Sequence, residues 1–287
     1  MLVSSLSLSK QPFKPFVKRV WWKRQLLEQF QNLYPKNFNN YFEPFVWWGA
    51  VFFDLKNTNR IKNHATLSDV NDELINVYLV IQKDLENLIL KLNEFQLKHS
   101  KEFFLEIRTW DQEENYKSRP DFERAARFIY LNRTCFNGLY RVNGRWFFNV
   151  PFWKYSNPKI CDEEWLCRAS EALQNTIILT QSFKEVLNQA KAWDFVYFDP
   201  PYDTLSKTAS FTDYIQWGFW WEMQEELADV FYKLKGRWCY VMLSNHNTER
   251  IQNLYKASRQ VIVSANRMIN SNASKRWAIE EIVVLSY

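Results

Sequence analysis

Asp194-Phe195-Val196-Tyr197-Phe198-Asp199-Pro200-Pro201-Tyr202 reads as an apolar strand that stops at a double proline. Proline has no backbone N–H and a fixed φ, so the ladder ends there and Asp199 is left at the strand's carboxyl end. Open α/β sheets bind their ligands at that end of their strands. Working outward, residues 176–180 form a short β-branched strand behind a helix over 162–173. Downstream, a helix fits 222–234, and strands fit 238–243, 260–265 and 280–285. Towards the N-terminus, Tyr41-Phe42-Glu43-Pro44-Phe45-Val46 runs as a strand into a turn and then into the apolar helix start Ala50-Val51-Phe52-Phe53. That order opens a nucleotide-binding α/β unit. A first helix is spaced by Leu26, Leu27, Phe30 and Leu33 and ends at Pro35. A second strand over 65–68 closes on Asp69-Val70-Asn71, and 72–97 reads as one or two amphipathic helices. Charge-dense residues 109–121 mark a boundary before a helix over 122–132 and a loop or hairpin over 134–151. Strands and helices alternate, which predicts a largely parallel sheet. The first 18 residues show no periodicity and read as a loose arm.

At 287 residues the chain suits an α/β core with a smaller inserted or appended domain. Hydrophobic residues make up 47% and aromatics 18%, enough for a sizeable core, and no apolar run approaches the roughly 18 residues of a membrane span. No apolar signal block opens the chain, so we expect a soluble cytoplasmic protein with no membrane partner. Cys135, Cys161, Cys167 and Cys239 have no CxxC spacing and the three histidines are scattered, so we expect reduced thiols and no metal site. A net charge of +5 permits a polyanionic partner without requiring one.

The residue types after the strand suggest a chemistry. An exocyclic adenine amine is a poor nucleophile because its lone pair is delocalised into the ring. Asp199 and the Pro200 carbonyl could accept its two hydrogens and draw the nitrogen towards sp3 geometry. The prolines, Pro200 and Pro201, hold that carbonyl rigid, and Tyr202 could stack on the base. Such a base must first leave the duplex, at a cost of a few kcal/mol. Asp-Pro-Pro is also ordinary turn chemistry, and the tetrapeptide alone does not choose between the two.

Context chooses. The tetrapeptide, followed by Ser210-Phe211-Thr212 and Tyr214, closely resembles the Dam family of adenine-N6 DNA methyltransferases. The resemblance continues, in order, through Lys23-Arg24-Gln25-Leu26-Leu27, Phe42-Glu43-Pro44-Phe45-Val46, Ser68-Asp69-Val70-Asn71 and Asn137-Gly138-Leu139-Tyr140-Arg141. It closes with Phe148-Asn149-Val150-Pro151-Phe152 and Met242-Leu243-Ser244-Asn245. It implies a Rossmann-like α/β methyltransferase sheet, with S-adenosylmethionine as cofactor and N6 of a flipped adenine in double-stranded DNA as acceptor, within GATC. A small, mostly helical DNA-recognition insert carrying a hairpin accompanies the sheet. The catalytic parts would be 1–75 (with 1–15 as the arm) and 156–287, the insert 76–155. Asp199, Pro200, Pro201 and Tyr202 take the catalytic positions by resemblance. Arg19, Lys23, Phe45, Trp47, Gly49, Asp69 and again Asp199 take the cofactor positions, although the family carries an aromatic where Arg19 stands. Asp69 would hold the cofactor's polar end; as a carboxylate just after a strand it could equally be a helix N-cap. Ser182 replaces an acidic residue the family often carries. Asn137, Leu139, Arg141, Asn143 and Pro151 fall on the hairpin that reads the target, where Arg suits guanine and Asn suits adenine. Lys207, Lys275 and Arg276 are phosphate-contact candidates. A monomer and a companion restriction endonuclease are further expectations. The rivals are an inactive DNA-binding homologue and an enzyme acting on a protein or RNA amine.

Tryptophan stands where the family has glycine: Trp21-Trp22, Trp47-Trp48, Trp146, Trp153, Trp193, Trp220, Trp238 and Trp277. Usage of roughly 7% would give about 20 glycines, yet there are 5, beside 14 tryptophans. An indole cannot replace the positive φ and close backbone approach that glycine permits in a ligand loop. Taken literally, Trp47 and Trp48 fill the cofactor cleft. The one-directional exchange suggests UGA codons, which different genetic codes read as tryptophan or as glycine. Restoring glycine at these positions brings the count to about 15, much nearer ordinary usage. Trp110, Trp165 and Trp217 are not assigned to either class.

Overall fold

The computed structural model describes residues 12–16, 22–203, 219–266 and 278–287. Its strands are β1 (Tyr41–Glu43), β2 (Ala65–Asp69), β3 (Thr176–Thr180), β4 (Phe195–Phe198), β5 (Tyr240–His246), β6 (Arg259–Asn266) and β7 (Ala278–Leu285). They form one sheet in the order β3-β2-β1-β4-β5-β7-β6. The first five in that order are parallel, and β7 is antiparallel to both β5 and β6. This is a mixed α/β, Rossmann-like sheet.

The apolar run of β4 is unbroken because both faces of the sheet are covered. Successive side chains alternate between the faces. Phe195 and Tyr197 enter a core with Leu26, Phe30, Tyr41 and Leu67. Val196 and Phe198 enter a second core with Phe42, Val241, Leu227 and Phe231. On the first side lie α1 (Trp22–Phe30), α2 (Ala50–Asn57) and α3 (Asp72–Lys83). On the second lie α8 (Val186–Gln189), α9 (Trp221–Gly236) and α10 (Glu249–Leu254).

From β1 the chain moves to β2 and β3 on one side, then crosses to β4 and β5 on the other. The crevice outside the carboxyl ends of β1 and β4 is therefore the topological switch point, where such sheets take their ligands.

Between α3 and β3 the chain builds a helical insert of α4 (Leu85–Lys98), α5 (Lys101–Thr109), α6 (Asp121–Thr134) and α7 (Glu163–Leu173). The stretch read as a boundary, 109–121, holds the end of α5, two 3-10 turns and the first residue of α6; Glu113, Glu114, Lys117 and Asp121 are exposed, while Asp111 turns towards the insert. Asp111, itself partly buried, pairs at 2.8 Å with the buried Arg127 of α6. The sequence reading missed α5, whose start is set by Ser100 accepting the Phe103 N–H at 3.0 Å. A division at 75/76 falls inside α3, one unbroken helix. No helix among the described residues is long and apolar enough to cross a membrane. The four cysteines are free, and burial pushes the thiols of Cys161 and Cys239 up to about 12 and about 11.

Candidate active site

Asp199 leaves β4 buried, at 8% exposure. Its position is set across the parallel ladder, where Phe198 faces Leu243 of β5. One residue further, Ser244 Oγ lies 3.0 Å from Asp199 Oδ1 and 2.8 Å from the Tyr197 hydroxyl. An ionised carboxylate only accepts, so the serine proton goes to Asp199 and the tyrosine proton to Ser244. The tetrapeptide is pinned at further points. Gln224 of α9 donates to the Pro201 carbonyl at 2.8 Å, and Asn245 donates to Gln224 at 3.2 Å. Asn245 Oδ1 also accepts the Asp203 N–H at 2.8 Å. The Tyr202 hydroxyl donates to the buried carboxylate of Glu281 on β7 at 2.8 Å, and its ring meets His246 edge-on at 5.0 Å. No donor among the described residues reaches the Pro200 carbonyl. A turn made only to reverse the chain would not need the five neighbouring side chains of Ser244, Gln224, Asn245, Glu281 and His246 to fix it.

Across the crevice, the loop after β1 holds Phe45 to Gly49. Phe45 stacks on Phe183 at 5.3 Å and meets Phe219 edge-on at 5.6 Å, giving an aromatic wall. Gly49, at φ 61°, caps α2 where an added Cβ would stand 3.0 Å from the Tyr78 hydroxyl, so this turn requires glycine. That hydroxyl donates to the Trp47 carbonyl at 3.2 Å. Trp47 and Trp48 pack at 6.0 Å in the same loop.

Asp69, at the exit of β2, accepts the N–H of Asn71 at 3.0 Å and those of Trp47 and Val70. Burial pushes its carboxyl up to about 6 against those hydrogen bonds. It does not cap the helix: Asn71 does, accepting from Glu73 at 3.1 Å and Leu74 at 3.2 Å. Asp69 thus ties β2 to the β1 loop as a buried acid at the carboxyl end of its strand.

The hairpin lies on the insert. Leu139, Arg141 and Asn143 are exposed, while Tyr140 stacks on Phe128 at 4.8 Å and Val142 is buried, the two-residue alternation of a strand. Arg141 Nε donates to Asn149 at 2.7 Å. Asn143 Oδ1 accepts the N–H groups of Arg145 (2.9 Å) and Phe147 (3.1 Å), so it shapes the turn. Asn137 takes φ 54° in a 3-10 turn, and the Pro151 carbonyl accepts the Phe136 N–H at 3.0 Å, closing the hairpin's base. Arg19, Lys207, Lys275, Arg276, Ser210-Phe211-Thr212 and Tyr214 lie outside the described residues, as does the side chain of Lys23. Ser244, Gln224, Glu281 and Asp111 were not read as functional. Only Ser244 was within reach, in the quoted Met242-Leu243-Ser244-Asn245.

The sequence profile of the D12 class N6 adenine-specific DNA methyltransferases matches residues 22–269. The chain belongs to this class. An adenine methyltransferase of the D12 class fits the comparison with individual proteins. A type II methyltransferase of Lactococcus lactis subsp. cremoris is 41% identical over 284 residues, covering 98% of each chain. A type II methyltransferase of Methanocaldococcus jannaschii is 39% identical, covering 96% of this chain and 99% of its own. The DNA adenine methylase of Escherichia coli is 33% identical over 95% of both.

Proposed function

We propose that this adenine methyltransferase acts on the N6 amine of an adenine turned out of double-stranded DNA, in a GATC-like site, with S-adenosylmethionine as methyl donor. The observation that carries the reading is the fixation of Asp199 by Ser244 at the switch point of the sheet, beside the proline-held Pro200 carbonyl. Both oxygens can accept from the amine, which localises the lone pair on nitrogen and offsets the lost conjugation. Tyr202, held by Glu281 and His246, offers the flipped base a stacking face. The Phe45 and Phe183 pair suits an adenine ring and the buried Asp69 suits the hydroxyls or ammonium of an adenosyl amino acid, so these residues fit the cofactor. When bound, S-adenosylmethionine supplies an electrophilic methyl group.

On the hairpin, Arg141 is the base-reading candidate, because its terminal guanidinium nitrogens take no partner among the described residues. Leu139, Asn143, Asn137 and Pro151 shape and flank it. The type II names of two relatives favour a companion restriction endonuclease, and we place the protein in the cytoplasm as a monomer. A second reading, an inactive DNA-binding homologue, has Trp47 and Trp48 in its favour; such a chain binds duplex DNA and gives no heat with S-adenosylmethionine. The test is methyl transfer to duplexes containing GATC or a scrambled site, with Asp199→Ala as control. Product N6-methyladenine from the parent alone supports the proposal, and equal rates for parent and variant refute it.

A further inference from the structure

Eight non-glycine residues among those described have positive φ, and they are of only two kinds: Asn59, Asn137, Asn157 and Asn175, and Trp47, Trp146, Trp193 and Trp238. Asparagine tolerates this region through local hydrogen bonds, but tryptophan has no such means. A few per cent of non-glycine residues adopt it in general, whereas four of the eleven tryptophans among the described residues do.

Three of the four sit at turn positions that glycine customarily fills. Trp238 (φ 65°) follows the end of α9, with its N–H on the Lys235 carbonyl and the next N–H, of Cys239, on the Leu234 carbonyl, at 3.0 and 3.1 Å. That pair of bonds is the Schellman motif, whose left-handed residue is usually glycine. Trp193 (φ 70°) is the third residue of a turn closed by the Asp194 N–H on the Lys191 carbonyl at 3.1 Å, where a type II turn calls for glycine. Trp146 (φ 66°) ends the hairpin turn, its N–H on the Asn143 carbonyl at 2.8 Å, with Asn143 N–H on the Phe147 carbonyl at 2.9 Å. This is the left-handed bulge position of such hairpins. The fourth, Trp47 (φ 39°), lies in the cofactor-side loop two residues before Gly49. The indoles at 146, 193 and 238 are 66%, 52% and 71% exposed; Trp193 meets Trp238 at 6.3 Å and Tyr240 at 5.9 Å on the surface, so no buried packing holds them there.

Trp110 shows the contrast. Its indole lies under the Arg119 guanidinium at 4.0 Å and meets Phe95 edge-on at 5.9 Å, on a backbone with φ −54°.

From these conformations we infer that Trp47, Trp146, Trp193 and Trp238 are encoded by UGA, and that the cell to which the gene belongs inserts glycine at that codon. The protein made there carries glycine at all four, its cofactor loop free of the Trp47 indole, while Trp110 is a true UGG tryptophan. The cell must then hold a glycyl-tRNA whose anticodon pairs with UGA. The inference stands apart from the chemistry assigned to Asp199. The test joins the nucleotide sequence of the gene to mass spectrometry of the protein from its own cells, using tryptic peptides that begin at residues 192 and 238. UGA at the four codons, UGG at 110 and a glycine mass in both peptides are expected. UGG at any of the four, or a tryptophan mass in either peptide, overturns the inference and leaves the family assignment untouched.

Discussion

Ser244 donates to the Asp199 carboxylate and helps to set its direction, which in the proposed function makes it a positioning residue. A hydrogen bond to a charged group contributes about 1.5–3 kcal/mol, so Ser244→Ala should lower kcat for methyl transfer by roughly 10- to 100-fold. KM for DNA should hardly move, and steady-state kinetics giving an unchanged kcat would remove Ser244 from the mechanism. Asp69 makes a prediction in pH. Its carboxyl is raised from 3.8 to about 6, so folding favours the neutral acid. Its contribution to stability is complete below 3.8 and is lost as pH rises through about 6. Cofactor binding runs the other way if the ionised form receives the ligand's hydroxyls or ammonium. Calorimetry should show affinity falling by up to about tenfold per pH unit below that value, and Asp69→Asn should flatten the profile. The four left-handed tryptophans also belong to this scale. At about 1–3 kcal/mol each, their strain together approaches the whole stability of an ordinary domain, about 5–15 kcal/mol.

Among the elements, the hairpin of the insert depends most on a single anchor. Asp111 accepts the Phe148 N–H at 2.7 Å and pairs with Arg127, which also donates to the carbonyls of Ile107 and Arg108. Asp111→Asn removes the charge from that junction and should raise KM for DNA about tenfold, equivalent to roughly 1.4 kcal/mol, at nearly constant kcat. A filter-binding isotherm identical to that of the parent would show that the hairpin holds its own shape. The hairpin was legible because Asn143-Gly144 is local turn chemistry and the outward residues alternate. By contrast α5 was not, since its apolar face, Phe104 and Ile107, is short and follows directly on α4. Asn143 was legible as a base reader only by residue type; its engagement within the turn is a matter of geometry.

Across the whole molecule, the parallel half of the sheet could be read from the alternation of strands and helices, and the switch point follows from it. The insertion of β7 between β5 and β6 could not, because strand order at an edge is a tertiary choice that no local pattern records. The same limit hid the partners of the active site. Asp199 and Tyr202 announce themselves in one tetrapeptide, but Ser244 and Glu281 reach them from strands 45 and 79 residues away. The sheet gathers these distant groups at one strand exit, and the proposed function puts there a base that has left its helix. A duplex with 2-aminopurine at the target adenine tests that claim most directly, because its fluorescence rises when the base unstacks. The account predicts a rise on binding that survives Asp199→Ala, although methyl transfer to the natural duplex is lost, and that weakens in Tyr202→Ala. No rise with the parent protein, or transfer persisting in Asp199→Ala, would contradict it.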